Sequence, residues 1–329
     1  MKRIAIIGCG RISPAHLNGL KTLSSRAKVV ALCDMNEKLR SERQKAFDVP
    51  NGFASIDELL AWDQFDIATI LTPPDIRSDV CIPILKAKKH LMVEKPFSHS
   101  LDEAYAIVHT AKDMDVTMAV NQNFRWIPPA PILRKHILNG RLGRILSVLL
   151  VDAVWRDESV GWRNTTSKLA LSVMGVHWLD RIRWITGLDA TRLYTSSMIS
   201  HVLTSAGEDI TSTIITLSSG AVATFVHHWA SRSNGMNNSL QVDGVDGSVI
   251  VKGNEITWIE KDGKQTKENF TGIDISQSMA LSWTEFLNAL DENRQPCHNG
   301  KDNLWTVALL EGVYKSAETG ESIEIKVEK

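Results

Sequence analysis

The chain has 329 residues, 43% of them hydrophobic, and its 37 lysines and arginines nearly balance 38 acids for a net charge of −1. That length exceeds a typical single domain, so two domains with real buried cores are expected. The balanced charge argues against nucleic acid or an anionic membrane surface as a partner. Met1-Lys2-Arg3 leads into an apolar run like the start of a signal peptide, but Ile4–Ile7 is too short for an h-region and stops at glycine. The next apolar stretch of note, Ile145–Val151, is far short of a membrane span. Both read as buried strands.

The predicted strands of the first part are Arg3–Ile7, Lys28–Cys33, Ile67–Leu71, His90–Val93 and Thr117–Val120. Each is short and apolar on both faces, as in a parallel sheet covered on both sides. Between them, Ser55-Ile56-Asp57-Glu58 and Ser100-Leu101-Asp102-Glu103 are Ser-x-x-Glu starts of helices. This alternation predicts a doubly wound α/β domain over residues 1–121. From 122 to 329 the pattern changes. A helix from Pro131 to Asn139, a long strand from Ile145 to Val154 and a helix over Lys168–Thr186 ending at Gly187 precede a β-rich stretch from Thr191 to Phe270. Its turns, at Ser218-Ser219-Gly220, Asp246-Gly247, Gly253-Asn254 and Asp262-Gly263, are too short for anything but antiparallel neighbours. Two helices, near Met279–Leu290 and Asp302–Ser316, close the chain. The second domain is therefore expected to be α+β, with a large, mainly antiparallel open sheet. Helices on one face leave the other needing cover, which predicts a homodimer or homotetramer.

The first strand runs into Gly8-Cys9-Gly10-Arg11-Ile12-Ser13, then helix residues from Pro14. Gly8 permits a tight turn, and Gly10 lets the backbone approach a pyrophosphate at a helix N-terminus, where amides and the dipole favour anions. Ser13 stands where the usual motif has its third glycine. The motif gains weight from Asp34, which ends the second strand about twenty residues on. A carboxylate there accepts ribose hydroxyls and repels a 2′-phosphate, so NAD(H) is the expected cofactor of a Rossmann-type domain.

Glu94-Lys95-Pro96 follows a strand at the carboxyl edge of the sheet, where open α/β folds bind ligands. Together with Thr72-Pro73-Pro74, Asn123-Phe124-Arg125-Trp126, Gly161-Trp162-Arg163 and Gly175-Val176-His177-Trp178-Leu179-Asp180, this triplet resembles the glucose–fructose oxidoreductase / inositol dehydrogenase family over nearly the whole chain. The resemblance implies hydride transfer between nicotinamide and a sugar, polyol or sugar-derivative carbonyl. It implies a cis Lys95–Pro96 bond, with Lys95 and His177 handling the hydroxyl proton. It places Gly8, Gly10, Arg11, Ile12, Asp34, Thr72, Pro73, Arg77, Glu94, Lys95, Asn123, Trp162 and Arg163 at the cofactor, and Lys95, Arg125, Trp126, His177 and Asp180 at a carbohydrate-like substrate. On physical grounds, a lysine buried beside a cationic nicotinamide shifts toward its neutral form and can share a proton. A histidine suits the same task.

Three departures from the relatives stand out. An Asp commonly lies four residues before the histidine, where this chain has Val173; Lys168 and Leu169 replace the glycines that open that helix; and Arg77 takes a position often held by histidine. Two rival readings therefore stay open: a lyase- or hydrolase-type reaction with transient oxidation and recycled NAD, and a cofactor-binding protein whose catalytic site has decayed. Trp126, Trp155, Trp162 and Trp229 lie near strand ends, where packing is the default role of each, and Arg125, Arg156 and Arg163 sit nearby. His227-His228 is read as structural, and no metal is expected. The scattered Cys9, Cys33, Cys81 and Cys297 fit a reducing cytoplasm.

Overall fold

A computed structural model describes residues 1–158 and 161–328. It divides into two compact units, one of residues 1–126 with 273–307, the other of 127–272 with 308 onward.

The first unit is built on a six-stranded sheet. Its members are β1 (Lys2–Ile7), β2 (Ala27–Cys33), β3 (Asn51–Phe53), β4 (Ile67–Ile70), β5 (His90–Val93) and β6 (Met118–Val120), interleaved with α1 (Ser13–Lys21), α2 (Glu37–Phe47), α3 (Ile56–Trp62), α4 (Arg77–Lys86) and α5 (Leu101–Asp113). All pairings are parallel, in the order β3-β2-β1-β4-β5-β6. The chain thus winds outward in opposite directions from β1 and β4, and the carboxyl ends of that pair open the crevice where such sheets bind ligands. Sequence had marked five of the six strands. The three-residue edge strand β3 carries no apolar run to read.

Ser55 and Ser100 cap α3 and α5 as expected, each accepting an amide of its Glu, Glu58 or Glu103. The reciprocal arm lands elsewhere: Glu58 reaches the Ala54 amide and Glu103 the Ser98 hydroxyl. A complete capping box opens α8 (Ile275–Asp291), where Asp274 and Gln277 satisfy each other's amides.

The division at residue 121 needs correction on account of α8. Its apolar face carries Trp283, Phe286 and Leu287 into one core with Ile4, Ile6, Leu17, Leu20, Ile67 and Met92. Gly19 makes the approach of α1 possible, since a Cβ there would lie 2.9 Å from both Met279 Cβ and the Ser276 carbonyl oxygen. Residues 273–307, expected in the second domain, therefore belong to the first unit, because the amphipathic α8 is needed to cover α1 and its sheet.

The second unit holds α6 (Ala130–Leu138), β7 (Ile145–Ala153), α7 (Val176–Thr186), then β8 (Ala190–Met198), β9 (Ile210–Leu217), β10 (Val222–His228), β11 (Ser239–Gly244), β12 (Gly247–Lys252), β13 (Glu255–Glu260) and β14 (Gln265–Asn269). Helix α9 (Gly300–Thr319) leads to β15 (Ile323–Glu324). The nine strands run β14-β13-β12-β11-β7-β10-β9-β8-β15, antiparallel throughout except for the parallel pair β7 and β10. The tight turns fall where expected: Gly244 pairs with Gly247 around Val245-Asp246, and Lys252 with Glu255 around Gly253-Asn254, with Gly253 at φ +55°.

The helix predicted over Lys168–Thr186 differs at its start. Leu171–Gly175 forms a single π turn, in which the Val176 amide reaches back to the Leu171 carbonyl, and only then does α7 begin. A regular helix would put Val173 and His177 on one face, but the wider turn offsets residues before it from those after it. Val173 packs instead with Leu169, Ala170, Leu203 and Trp229. The C-terminus ends as expected at Gly187, φ +68°. Among the described residues, no helix is long and apolar enough to cross a membrane.

Candidate active site

In the first unit, the site is built on the carboxyl edges of β1, β2, β4 and β5. Gly8 has φ +102°, and a Cβ on it would meet Leu71 and Thr72 backbone atoms at 3.0 and 3.2 Å. Only glycine fits. Gly10 is exposed, with nothing within 4 Å of where a Cβ would be, so the backbone there is open to a phosphate's approach. Helix α1 follows, with Ile12 at its N-cap and no side chain capping its amides. Arg11 is exposed beside it.

Asp34 sits at the end of β2, and its carboxylate accepts the Cys9 amide at 2.7 Å and the Asn36 amide at 2.8 Å. It thus braces the glycine turn, while Asn36 caps α2. Two arginines of α2 reach the same corner: Arg40 donates to the Asp34 carbonyl at 2.5 Å and Arg43 to the Ser13 hydroxyl at 3.3 Å. Neither arginine adjoins Asp34 in sequence; α2 brings both back to this corner.

Thr72 and Pro73 follow β4, and the Thr72 hydroxyl is buried with no partner among the described residues. A buried hydroxyl left unsatisfied is costly, which fits a group completed by a ligand. Together with the open Gly10 backbone, it makes this edge suited to a dinucleotide. The Lys95–Pro96 bond is cis, and Lys95 is half-buried.

Arg77 and Glu94, expected at the cofactor, have their observed bonds within the protein. Arg77 donates to the carbonyls of Thr72 at 2.9 Å, Glu94 at 2.6 Å and Pro96. Burial brings its guanidinium down to about 10, against the pull of Glu94. The Glu94 carboxylate receives Asn121 Nδ2 at 2.6 Å and lies 2.8 Å from His16 Nε2. Trp283 donates to His16 Nδ1 at 3.2 Å, so Nε2 carries the proton that goes to Glu94. Burial pushes the Glu94 carboxyl upward, but His16, Lys95 and Asn121 together bring it down to about 2. These two residues position the turns carrying Thr72 and Lys95. His16 and Asn121 carried no motif that would have flagged them.

The segment Asn123–Trp126 is likewise tied inward. Asn123 donates to Ser278 at 2.7 Å. Arg125, expected at the substrate, is 3% exposed and holds the Cys297 carbonyl at 2.8 Å and Asp302 at 2.5 Å. Its long apolar stem and planar head make it an internal tie. Trp126 meets His298 edge-on, with centroids 4.9 Å apart. Glu285, Cys297 and His298 offer ligand atoms within 4.8 Å of one another. However, both Glu285 oxygens already accept from Arg294, a cation where a metal would need none.

In the second unit, His177 lies in the first turn of α7 and is 3% exposed. Asp180 is buried, 3.8 Å from Arg183, which also pairs with Asp189. Asp152 lies 3.0 Å from His227 Nδ1 and accepts the Trp178 indole at 2.8 Å and Asn238 at 3.0 Å. His227 is thus structural, as its sequence setting suggested. Arg163 pairs with Glu158, as does Arg156. Trp155 and Trp162 pack against the cluster around Val173 and Trp229.

A parallel sheet with this glycine turn, an acid closing its second strand and a half-buried lysine at the same edge defines an NAD-binding oxidoreductase. Residues 2–122 match the oxidoreductase family with an NAD-binding Rossmann fold, and residues 132–250 match the Gfo/Idh/MocA C-terminal domain. The chain belongs to that family. It is 27% identical to a D-apiose dehydrogenase of Paraburkholderia graminis over 98% of this chain and 89% of that one. It is 24% identical to a 1,5-anhydro-D-fructose reductase of Ensifer adhaerens over 99% of each. An oxidoreductase from Agrobacterium radiobacter, solved with NAD+, L-tartaric acid and magnesium, shares the fold, with a TM-score of 0.92 and 22% identity over 98% of each chain.

Proposed function

We propose that the chain oxidises a secondary hydroxyl of a sugar, polyol or sugar derivative, or reduces the matching ketone, with NAD(H). The observation that carries this reading is Lys95, set at the ligand-binding edge on a turn fixed by Arg77 and Glu94. NAD, when bound, accepts or returns the hydride. Lys95 binds the hydroxyl oxygen and, in its neutral form, takes up the proton as hydride leaves carbon, while His177 is the general acid–base group that passes the proton on. Arg77 holds the carbonyls on either side of Lys95, keeping its stem in place.

NADH formation should be followed with sugars and polyols including D-apiose, and NADH consumption with 1,5-anhydro-D-fructose. Lys95→Met should remove most turnover while leaving NADH affinity nearly unchanged. His177→Ala should lower turnover by a factor on the order of a hundred or more. Full activity in either variant overturns its assigned role. Substrate turnover with no net NADH change marks the recycling lyase or hydrolase instead, and NADH binding without turnover marks a decayed site.

We further propose that the outer face of the large sheet pairs with a second copy, in a homodimer or homotetramer. A reducing compartment such as the cytoplasm is supported by the four free cysteines, and a disulfide in the isolated native protein would contradict it.

A further inference from the structure

The family's carboxylate before the histidine is replaced here by Val173, inside an apolar cluster. The start of the histidine's helix is nonetheless tied from outside at several successive backbone groups. Glu208, from the segment between β8 and β9, is 6% exposed and accepts the Leu169 amide at 2.6 Å and the Leu171 amide at 2.9 Å. Its backbone carbonyl takes the Ala170 amide at 3.1 Å. Tyr314, from α9, donates to the same carboxylate at 2.9 Å and accepts the Ser172 amide at 3.1 Å. On the other side, His227 Nε2 lies 3.1 Å from the Ala170 carbonyl oxygen. The four successive amides 169–172 are therefore fixed by side chains and backbone from outside the helix, leading into and through the start of the π turn.

We propose that Glu208 and Tyr314 are positioning residues for the reaction: they clamp the start of the π turn and so set the placement of His177, doing from outside the helix what the missing carboxylate would have done from within it. This rests on His177 being the acid–base group.

The clamp is costly to build, which argues for a purpose beyond capping. Burial lifts the Glu208 carboxyl to about 7, against the two amides and the Tyr314 hydroxyl that favour its ionised form. Burial and the neighbouring Glu208 also raise the Tyr314 phenol well above its ordinary value. Lys168 brings a cation to the pair, 5.4 Å from the centre of the Tyr314 ring. A surface cap would satisfy the same amides through a serine or aspartate in water, at no such desolvation. The clamp also fixes amides on both sides of Ala170, whose carbonyl His227 engages, so the turn is held at its amides and at a carbonyl together. Rigid support of this kind governs rate steeply, since a displacement of about 1 Å in a reacting group can cost on the order of a hundredfold.

Four full-length proteins test this with the best substrate of the panel above: Glu208→Gln, Tyr314→Phe, His177→Asn, and the double variant Glu208→Gln/His177→Asn. The Glu208→Gln change keeps the shape but turns an amide donor toward the backbone donors, and Tyr314→Phe removes only the bridging hydroxyl. Each clamp variant should lower kcat by about tenfold or more, the lower end of that misplacement scale. The KM for the sugar and the NADH Kd should stay within about threefold. In the His177→Asn background, Glu208→Gln should cost less than about twofold further, because the clamp acts only through the histidine. A merely structural role would lower the melting temperature and NADH-binding capacity of each variant and add its full loss to that of His177→Asn. Additive losses, or a kcat unchanged in both clamp variants, overturn the clamp and leave the functional reading standing. Full activity in His177→Asn overturns both.

Discussion

Asp34 is held from below by the Cys9 and Asn36 amides, so its carboxylate is fixed in place before any ligand arrives. NADH should bind more tightly than NADPH, as measured by titration calorimetry. With Arg40 and Arg43 already at the corner, Asp34→Ser should narrow that difference from both sides, weakening NADH through the loosened glycine turn and admitting a 2′-phosphate. Equal or better NADPH binding by the unsubstituted protein would sink the assignment. Val173 makes the opposite case, a site where restoring the family residue should fail. It is buried among Leu169, Ala170, Leu203 and Trp229, where a carboxylate would lose its hydration. Val173→Asp should lower stability by ~2 kcal/mol or more with no gain in turnover, seen as a reduced melting temperature. A rise in turnover would show that the π turn still presents position 173 to the histidine. At this scale, the sequence was informative where a residue acts through its own chemistry. Gly8, Asp34, Thr72 and Lys95 all lie at the ligand-binding edge. It did not foretell the internal ties of Arg125 and Arg77, because a guanidinium bound to protein carbonyls looks the same in sequence as one awaiting a ligand.

Among elements, those set by local rules were readable and those set by distant partners were not. The buried strands β1, β4 and β5 announce themselves as apolar runs, and the serine caps of α3 and α5 by spacing. The π turn depends on Glu208, Tyr314 and His227, whose side chains lie 37 or more positions away in sequence from the residues they hold, so no helical periodicity foretold it. The allegiance of α8 was hidden for a related reason: its amphipathic face states that it packs, not against what. Trp283 is fully buried, beside Phe286, and its indole fixes the His16 tautomer. Trp283→Ala should therefore cost about 3–5 kcal/mol by chemical denaturation and also weaken NADH binding, since His16 holds Glu94 and Glu94 holds the lysine turn. A loss of stability with no change in NADH affinity would disconnect the helix from the site.

At the scale of the whole molecule, the large sheet presents one register row across seven strands: Tyr194, Ile214, Thr224, Leu149, Gln241, Ile250 and Thr257. Tyr194, Ile214 and Leu149 are each more than two-fifths exposed. Three large side chains exposed along one row support the proposed pairing of this face with a second copy. Light scattering at micromolar concentration should report a dimer or tetramer, and Ile214→Glu should shift it toward monomer. A stable wild-type monomer would mean that the face is wet and the proposed assembly wrong.

The parallel pairing of β7 with β10 has a consequence for how the protein is made. β7 is the first strand of its sheet to leave the ribosome, yet its two neighbours, β10 and β11, begin about 70 and 85 residues later. At ~5–20 residues per second of synthesis, Ile145–Ala153 waits for several seconds with both backbone edges bare. A nascent chain stalled between Ala153 and Val222 therefore exposes a sticky apolar ribbon. Slow translation there should raise the demand for chaperones, whereas a pause after Gly244 should not.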